Sequence, residues 1–167
     1  MLVRNDRTAT LIWWAPMYIL RHRDVVAGIE PERNLVKLAE PVLYKPQATG
    51  GLADWRPGTE IESDHIALSV FRTGSAEKAH FHERAWEMYQ VLSGRLRIAV
   101  RPHRATDWSV VTLEALDILW LPPHVAHLAD SESEHTSQVL QAPPASDDKV
   151  VLAPSEADDA ARALERL

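Results

Sequence analysis

A chain of 167 residues, 46% hydrophobic and 25% charged, has the make-up of one soluble globular domain. Its 24 acidic and 18 basic residues give a net charge of −6, which leaves no basic excess for nucleic acid. The absence of cysteine excludes disulfides, thiolate catalysis and zinc ribbons and fits a reducing, cytoplasmic setting, so any metal must be held by His, Asp, Glu or backbone oxygen.

The apolar run "LIWWAPMYIL" (11–20) is too short for a bilayer and is broken by Pro16. No small-residue cleavage site follows it, so a docked strand or subunit contact is expected rather than a signal peptide or membrane span. Residues 1–60 are otherwise irregular, with loop punctuation in "KPQATGGLADWRPGTE" (45–60), and are expected to form an arm on the rest of the chain or on a partner subunit. Trp13, Trp14 and Trp55 could cover a barrel opening.

From residue 65 the texture is that of strands. "HIALSVFR" (65–72) precedes a turn at Thr73-Gly74-Ser75, and "WEMYQVL" (86–92) ends at Ser93-Gly94. In "RLRIAVR" (95–101), Leu96, Ile98 and Val100 occupy one face and Arg95, Arg97 and Arg101 the other, so a half-buried strand with a solvated arginine face is expected. "WSVVTL" (108–113), "DILWLP" (117–122), "VAHLA" (125–129) and "TSQVLQA" (136–142) continue the pattern. The strand at 117–121 is apolar on both faces and should lie inside a sandwich or beneath a partner. Such closely spaced short strands predict an all-β sandwich or barrel over 61–142. The tail, 143–167, should carry a short helix that opens at Ser155 with Asp158 in a capping-box position and buries Ala161, Leu164 and Leu167.

The chemistry concentrates in "AHFHERAWEMYQVLSG" (79–94). On a strand, His80 and His82 project to the same side. A turn at Glu83-Arg84-Ala85 could bring Glu87 beside them, and His127, after Pro122-Pro123, is the candidate fourth ligand. Three imidazoles and a carboxylate suit Fe(II), Mn(II), Co(II), Ni(II) or Zn(II). Tyr89 shares the face of Glu87 and could donate a hydrogen bond or act as an acid, although such a ring is also good core. His124 could shuttle protons at a pocket mouth, and Arg72 could clamp a carboxylate or make a rim salt bridge. His22, His65, His103 and His135 have no partner at ligand spacing and read as surface. No G-x-S-x-G, P-loop or G-x-G-x-x-G is present, and no helix-turn-helix precedes the strands.

These residues resemble the cupin superfamily. Gly74, His80, His82, Glu87 and Gly94 meet the spacings of its first motif, Gly-x5-His-x-His-x3–4-Glu-x6-Gly. Pro122 and His127 match the second, Gly-x5-Pro-x-Gly-x2-His-x3-Asn, while Leu116 and His124 replace its glycines and Ser131 its asparagine. The resemblance implies a double-stranded β-helix, or jelly-roll barrel, with an N-terminal extension and a C-terminal helix. It implies His80, His82, Glu87 and His127 as ligands to one divalent metal. The expected function is a metal-dependent enzyme acting on an oxygen-rich small molecule, with an Fe(II) dioxygenase-type reaction first. A non-redox lyase, decarboxylase, isomerase or cyclase using Mn(II), Ni(II), Co(II) or Zn(II) is the alternative, and a non-catalytic binding or sensing module is another. A homodimer is expected, because the runs at 11–20 and 117–121 both need cover.

Overall fold

The computed structural model describes residues 17–19, 25, 27–32, 34–41, 52–54, 61–63, 67–75, 77–102, 105–143 and 148–166. His22, His65, His103, Trp13, Trp14, Trp55 and Leu167 lie outside the described residues.

The strands are β1 (Met17–Ile19), β2 (Leu35–Pro41), β3 (Leu52–Asp54), β4 (Ile61–Ser63), β5 (Ala67–Arg72), β6 (His80–His82), β7 (Trp86–Arg101), β8 (Ser109–Glu114), β9 (Ile118–Leu121), β10 (Ala126–Ala129), β11 (His135–Ala142) and β12 (Lys149–Val151), followed by helix α1 (Pro154–Glu165). The first half of β7 pairs with β9 and β11, and β11 continues through β5 to β2 and β4. The second half of β7 pairs with β8 and β10, and β10 continues through β6 to β12. Two sheets thus share one long strand and close on each other as a jelly-roll barrel. β1 and β3 form a separate parallel pair. β2 and β4 extend the first sheet, so the sheet recruits chain well upstream of residue 61.

The shared strand replaces the two strands expected at 86–92 and 95–101. Ser93-Gly94 does not end a strand; it marks a bulge. Thr136 faces Ser93 and Ser137 faces Val91, leaving Leu92 without an opposite residue. One extra residue reverses the alternation of side chains. Before the bulge Glu87, Tyr89 and Val91 are buried; after it Leu96 and Ile98 are. Both halves therefore face the same interior, where Val139, Leu113 and Leu121 complete the core with Phe71, Val100 and Val125.

The arginine face of 95–101 is not simply solvated. Between its arginines Ala99 is fully buried and packs with Ala79, Ala160 and Leu164 under α1. Arg97 donates to the Leu164 carbonyl and to Asp130, and Arg101 to Glu156, while its guanidinium lies 5.0 Å from the Trp108 ring. The helix also begins earlier than expected. Ala153 is its N-cap without a side-chain cap bond and Pro154 opens the first turn, where a missing N–H costs nothing. Its buried residues are Ala160 and Leu164, whereas Ala161 faces outward. The strand expected to be covered on both faces is covered on one: Leu121 is buried, but Ile118 and Trp120 are 55% and 52% exposed beside Trp86. His135, expected at the surface, is buried, with Nδ1 2.7 Å from the Ser133 carbonyl.

Leu116 and His124, which stand at the two glycine positions of the second motif, have φ of 75° and 65°. The turns keep the left-handed backbone that glycine would supply and bear the strain of a Cβ there. Leu116 is 73% exposed, so its side chain contributes little packing. Leu116→Gly is expected to stabilise the fold by about 0.5–1 kcal/mol, read as a higher urea midpoint at unchanged slope.

Candidate metal centre

Strand geometry brings the four expected ligands together from two sheets. In β6, His80 and His82 alternate inward around Phe81, and His127 of β10 stands directly opposite His80. Glu87 reaches them from the start of β7, after the turn at 83–85. All four side chains are buried. Glu87 Oε2 lies 2.7 Å from His127 Nε2, 3.6 Å from His82 Nε2 and 3.9 Å from His80 Nε2. One ligand atom each from His80, Glu87 and His127 falls within 4.8 Å of the others. His82 is more peripheral, its ring centroid 6.2 Å from that of His127 and 5.1 Å from that of His80.

Backbone carbonyls at the backs of the rings orient two of them. His80 Nδ1 is 2.7 Å from the Lys78 carbonyl and His127 Nδ1 is 3.0 Å from the Val125 carbonyl. A carbonyl can only accept, so each Nδ1 carries a proton and each Nε2 is turned inward. His80 Nε2, His127 Nε2 and Glu87 Oε2 are buried and have no aligned hydrogen-bond partner; the 2.7 Å approach of Glu87 to His127 is close without being aligned. Unsatisfied buried polar atoms are costly. A divalent cation satisfies three or four such donors at once, so these residues fit a metal.

The charge states of the three rings differ. Burial first, and then the charge of His127, push the His80 pKa down to about 3, so its ring is neutral at physiological pH. Burial also lowers His82. Burial opposes charge on His127, but contact with Glu87 and the charges of Glu87 and Glu77 outweigh it and raise its pKa. Proton and metal therefore compete most strongly at His127.

Tyr89 is buried, with its ring edge-on to His127 at 5.8 Å between centroids, and its hydroxyl donates to Glu77 Oε2 at 3.0 Å. Burial, then the charges of Glu77 and Glu87, hold its pKa well above 10, so the phenol keeps its proton. His124 is an exposed turn residue whose backbone N–H donates to the His82 carbonyl and whose ring lies near Phe81. Arg72 is not brought to the cluster. It pairs with Thr136 on the β11 ladder, five residues from Gln141, which faces Glu87; that is about 16 Å at the usual strand rise. Its Nε donates to Asn34, and it lines a cleft of about 1360 Å³ with Arg95, Arg97 and His135 at the opposite end of the barrel. That cleft is remote from the cluster, and we place no metal chemistry in it.

Glu77, Lys149 and Asp148 are among the residues beside the cluster that escaped the sequence reading. Glu77, three positions before His80, places Oε1 3.7 Å from His80 Nε2. Burial alone would raise its pKa, but the charges of His80, Lys149 and His127, with the Lys149 hydrogen bond, bring it to about 2. Lys149 and Asp148 come from the tail, because β12 pairs with β6 and seats Lys149 opposite His82. Asp148 accepts from the backbone N–H groups of Arg84 and Ala85 and from Arg84 Nε, and lies 3.6 Å from His82 Nδ1. It closes the turn that carries the chain from His82 to Glu87. Asp148→Ala would orphan two backbone donors and is expected to cost about 2–3 kcal/mol in denaturant unfolding. Metal affinity, measured by titration, should fall about 10-fold through loss of ligand positioning.

No family model matches the sequence, and no curated protein matches it. Among solved structures it is similar to KdgF from Halomonas sp., at 20% identity and a TM-score of 0.41, over 51% of this chain and 74% of that one. It is also similar to the capsular polysaccharide assembling protein CapF from Staphylococcus aureus, at 15% and 0.43, over 52% of this chain and 27% of CapF. An RmlC-like cupin family protein with a double-stranded β-helix fold, from Methanocaldococcus jannaschii, is similar at 15% and 0.41, over 49% and 73%. Likenesses of this size carry no conclusion about activity, which the side chains themselves must support.

Proposed function

We propose that the chain is a metal-dependent enzyme acting on an oxygen-rich small molecule, with an Fe(II) dioxygenase-type reaction as its activity. The observation that carries the metal centre is the convergence of three buried, unpartnered donor atoms, from His80, Glu87 and His127, with His82 alongside. These four side chains would hold the ion, which supplies Lewis acidity and, as Fe(II), electrons for reaction with dioxygen. The rings of His80 and His127 are fixed by backbone carbonyls, so the donor set is preorganised. Leu121, Val125 and Val139 pack in the core with Tyr89, whose ring stands edge-on to His127.

A non-redox lyase or isomerase is the second reading. It is favoured by the Tyr89 hydroxyl, a phenol beside the cluster that keeps its proton and could donate a hydrogen bond to a developing oxyanion. The expected homodimer belongs to the same proposal, with the exposed face formed by Trp86, Ile118 and Trp120 as its contact. Among the described residues, no helix is long and apolar enough to cross a membrane.

The test is anaerobic loading of metal-free protein with Fe(II), Mn(II), Co(II), Ni(II) or Zn(II), then a screen of enols, hydroxy acids and keto acids for oxygen uptake and product. Oxygen uptake confined to the Fe(II) form is the expected result. Turnover without oxygen establishes the non-redox reading instead, and a failure to bind any of the five ions removes both.

A further inference from the structure

Beside the cluster stand charged groups that metal binding does not require. Glu77 Oε1 accepts from Lys149 Nζ at 2.9 Å and lies 3.7 Å from His80 Nε2. One carboxylate oxygen thus bridges the ammonium of Lys149 and an atom that would bind the metal. Oε2 of the same carboxylate is taken by Tyr89. Glu77, His80, His82 and Tyr89 are 13% exposed or less, whereas the Lys149 side chain is 38% exposed. Lys149 therefore stands where the cluster meets solvent. An ammonium has three donors, and among the described residues Glu77 is the one hydrogen-bond partner of this one.

The charges around the centre do not cancel. Lys149 balances Glu77, and Asp148 is matched by Arg84. Glu87 offsets only one of the two charges of a divalent ion, so a loaded centre keeps one net positive charge in a largely buried setting. A neutral substrate would leave that charge unmatched, whereas a monoanion would neutralise it.

We propose that Lys149 docks a carboxylate of the substrate, so that the small molecule is a carboxylate-bearing oxygen compound, its acid group on the Lys149 ammonium and a second oxygen directed to the metal side of the cluster. This rests on the metal centre proposed above. Glu77 is then a positioning residue: it holds the ammonium at the mouth of the site and, being charged itself, keeps the acid group from moving further in.

The test uses the full chain loaded with Co(II), whose visible absorption reports on ligands entering the site. Malonate is the anionic probe and malonamide its neutral counterpart. Lys149→Met is expected to retain one Co(II) per chain, to weaken malonate binding about 10-fold and to leave malonamide binding unchanged. Lys149→Arg, which keeps the charge, should recover most of the loss and serves as the folded comparison if methionine lowers stability. If Lys149 acts only as the counterion of Glu77, the double variant Glu77→Gln/Lys149→Met will bind malonate like the wild type, and that overturns the proposal. Unchanged malonate binding in Co(II)-loaded Lys149→Met, or none in the wild type, also overturns it while leaving the metal centre intact. Failure of the wild type to bind Co(II) is a different result and removes the centre on which the proposal rests.

Discussion

Glu87→Ala is expected to lower affinity for a divalent metal at least about 100-fold, more than the loss typical of an outer-shell partner. Among the described residues Glu87 is the one carboxylate with an oxygen within 3.9 Å of all three imidazoles, and it supplies the negative charge of the donor set. Three neutral imidazoles could still hold an ion, but without the charge that offsets its desolvation. The fold should survive. The backbone of Glu87 pairs with Gln141 and Leu121, and neither ladder uses its side chain. Removal of a buried carboxylate also lifts a desolvation cost from the metal-free protein. Glu87→Gln keeps the shape but not the charge and should bind metal with intermediate affinity. Isothermal titration of metal-free protein with Co(II) or Zn(II), alongside a thermal melt, separates lost affinity from lost folding.

Gly94→Ala is expected to destabilise the chain by about 3–5 kcal/mol, among the larger effects of a single substitution. Two costs combine. Gly94 has φ of 75°, a region in which a side chain is strained. A Cβ built there would stand 2.0 Å from the Glu134 carbonyl oxygen and 2.9 Å from its carbon. Those atoms cannot give way easily, because the same carbonyl accepts the Arg95 N–H and the next residue, His135, is paired with Gly94 in the ladder. The bulge at 92–94 is also what lets β7 line both sheets, so relief by local shifting would disturb the alternation that buries Tyr89, Val91, Leu96 and Ile98. A urea midpoint well below that of the wild type, with metal binding weakened only as far as folding is, is the expected outcome. By contrast, a Cβ at Gly74 would meet the Asn34 side-chain amide at 2.8 Å, the movable end of a side chain, so alanine should be better tolerated there.

What could be read from the residues is what short-range geometry controls. His80, His82 and Glu87 lie within one strand-turn-strand segment, where the two-residue alternation dictates facing, and His127 follows a proline turn at motif spacing. The strands from 67 to 142 are legible for the same reason. Long-range pairing was not. The 148–151 segment falls in the stretch read as a tail with a short helix, yet β12 completes a sheet and delivers Asp148 and Lys149 to the cluster. Glu77 has no periodic relation to His80, and only the fold shows that the two approach. The parity change in β7 depends on one extra residue opposite Thr136 and Ser137, which composition does not reveal. Ala99 lies on the arginine face, and only the packing of α1 shows that this face is covered there. Arg72 could be offered as a carboxylate clamp or a rim residue because a strand pattern tells which face a residue takes but not which end of a barrel it occupies.

The most direct measurement is an equilibrium metal titration of metal-free protein under anaerobic conditions, read by elemental analysis after desalting and run beside the triple variant His80→Ala/Glu87→Ala/His127→Ala. One ion retained per wild-type chain and none in the triple variant is the expected result. Retention of the same amount by both, with both folded, would contradict a centre built from these side chains.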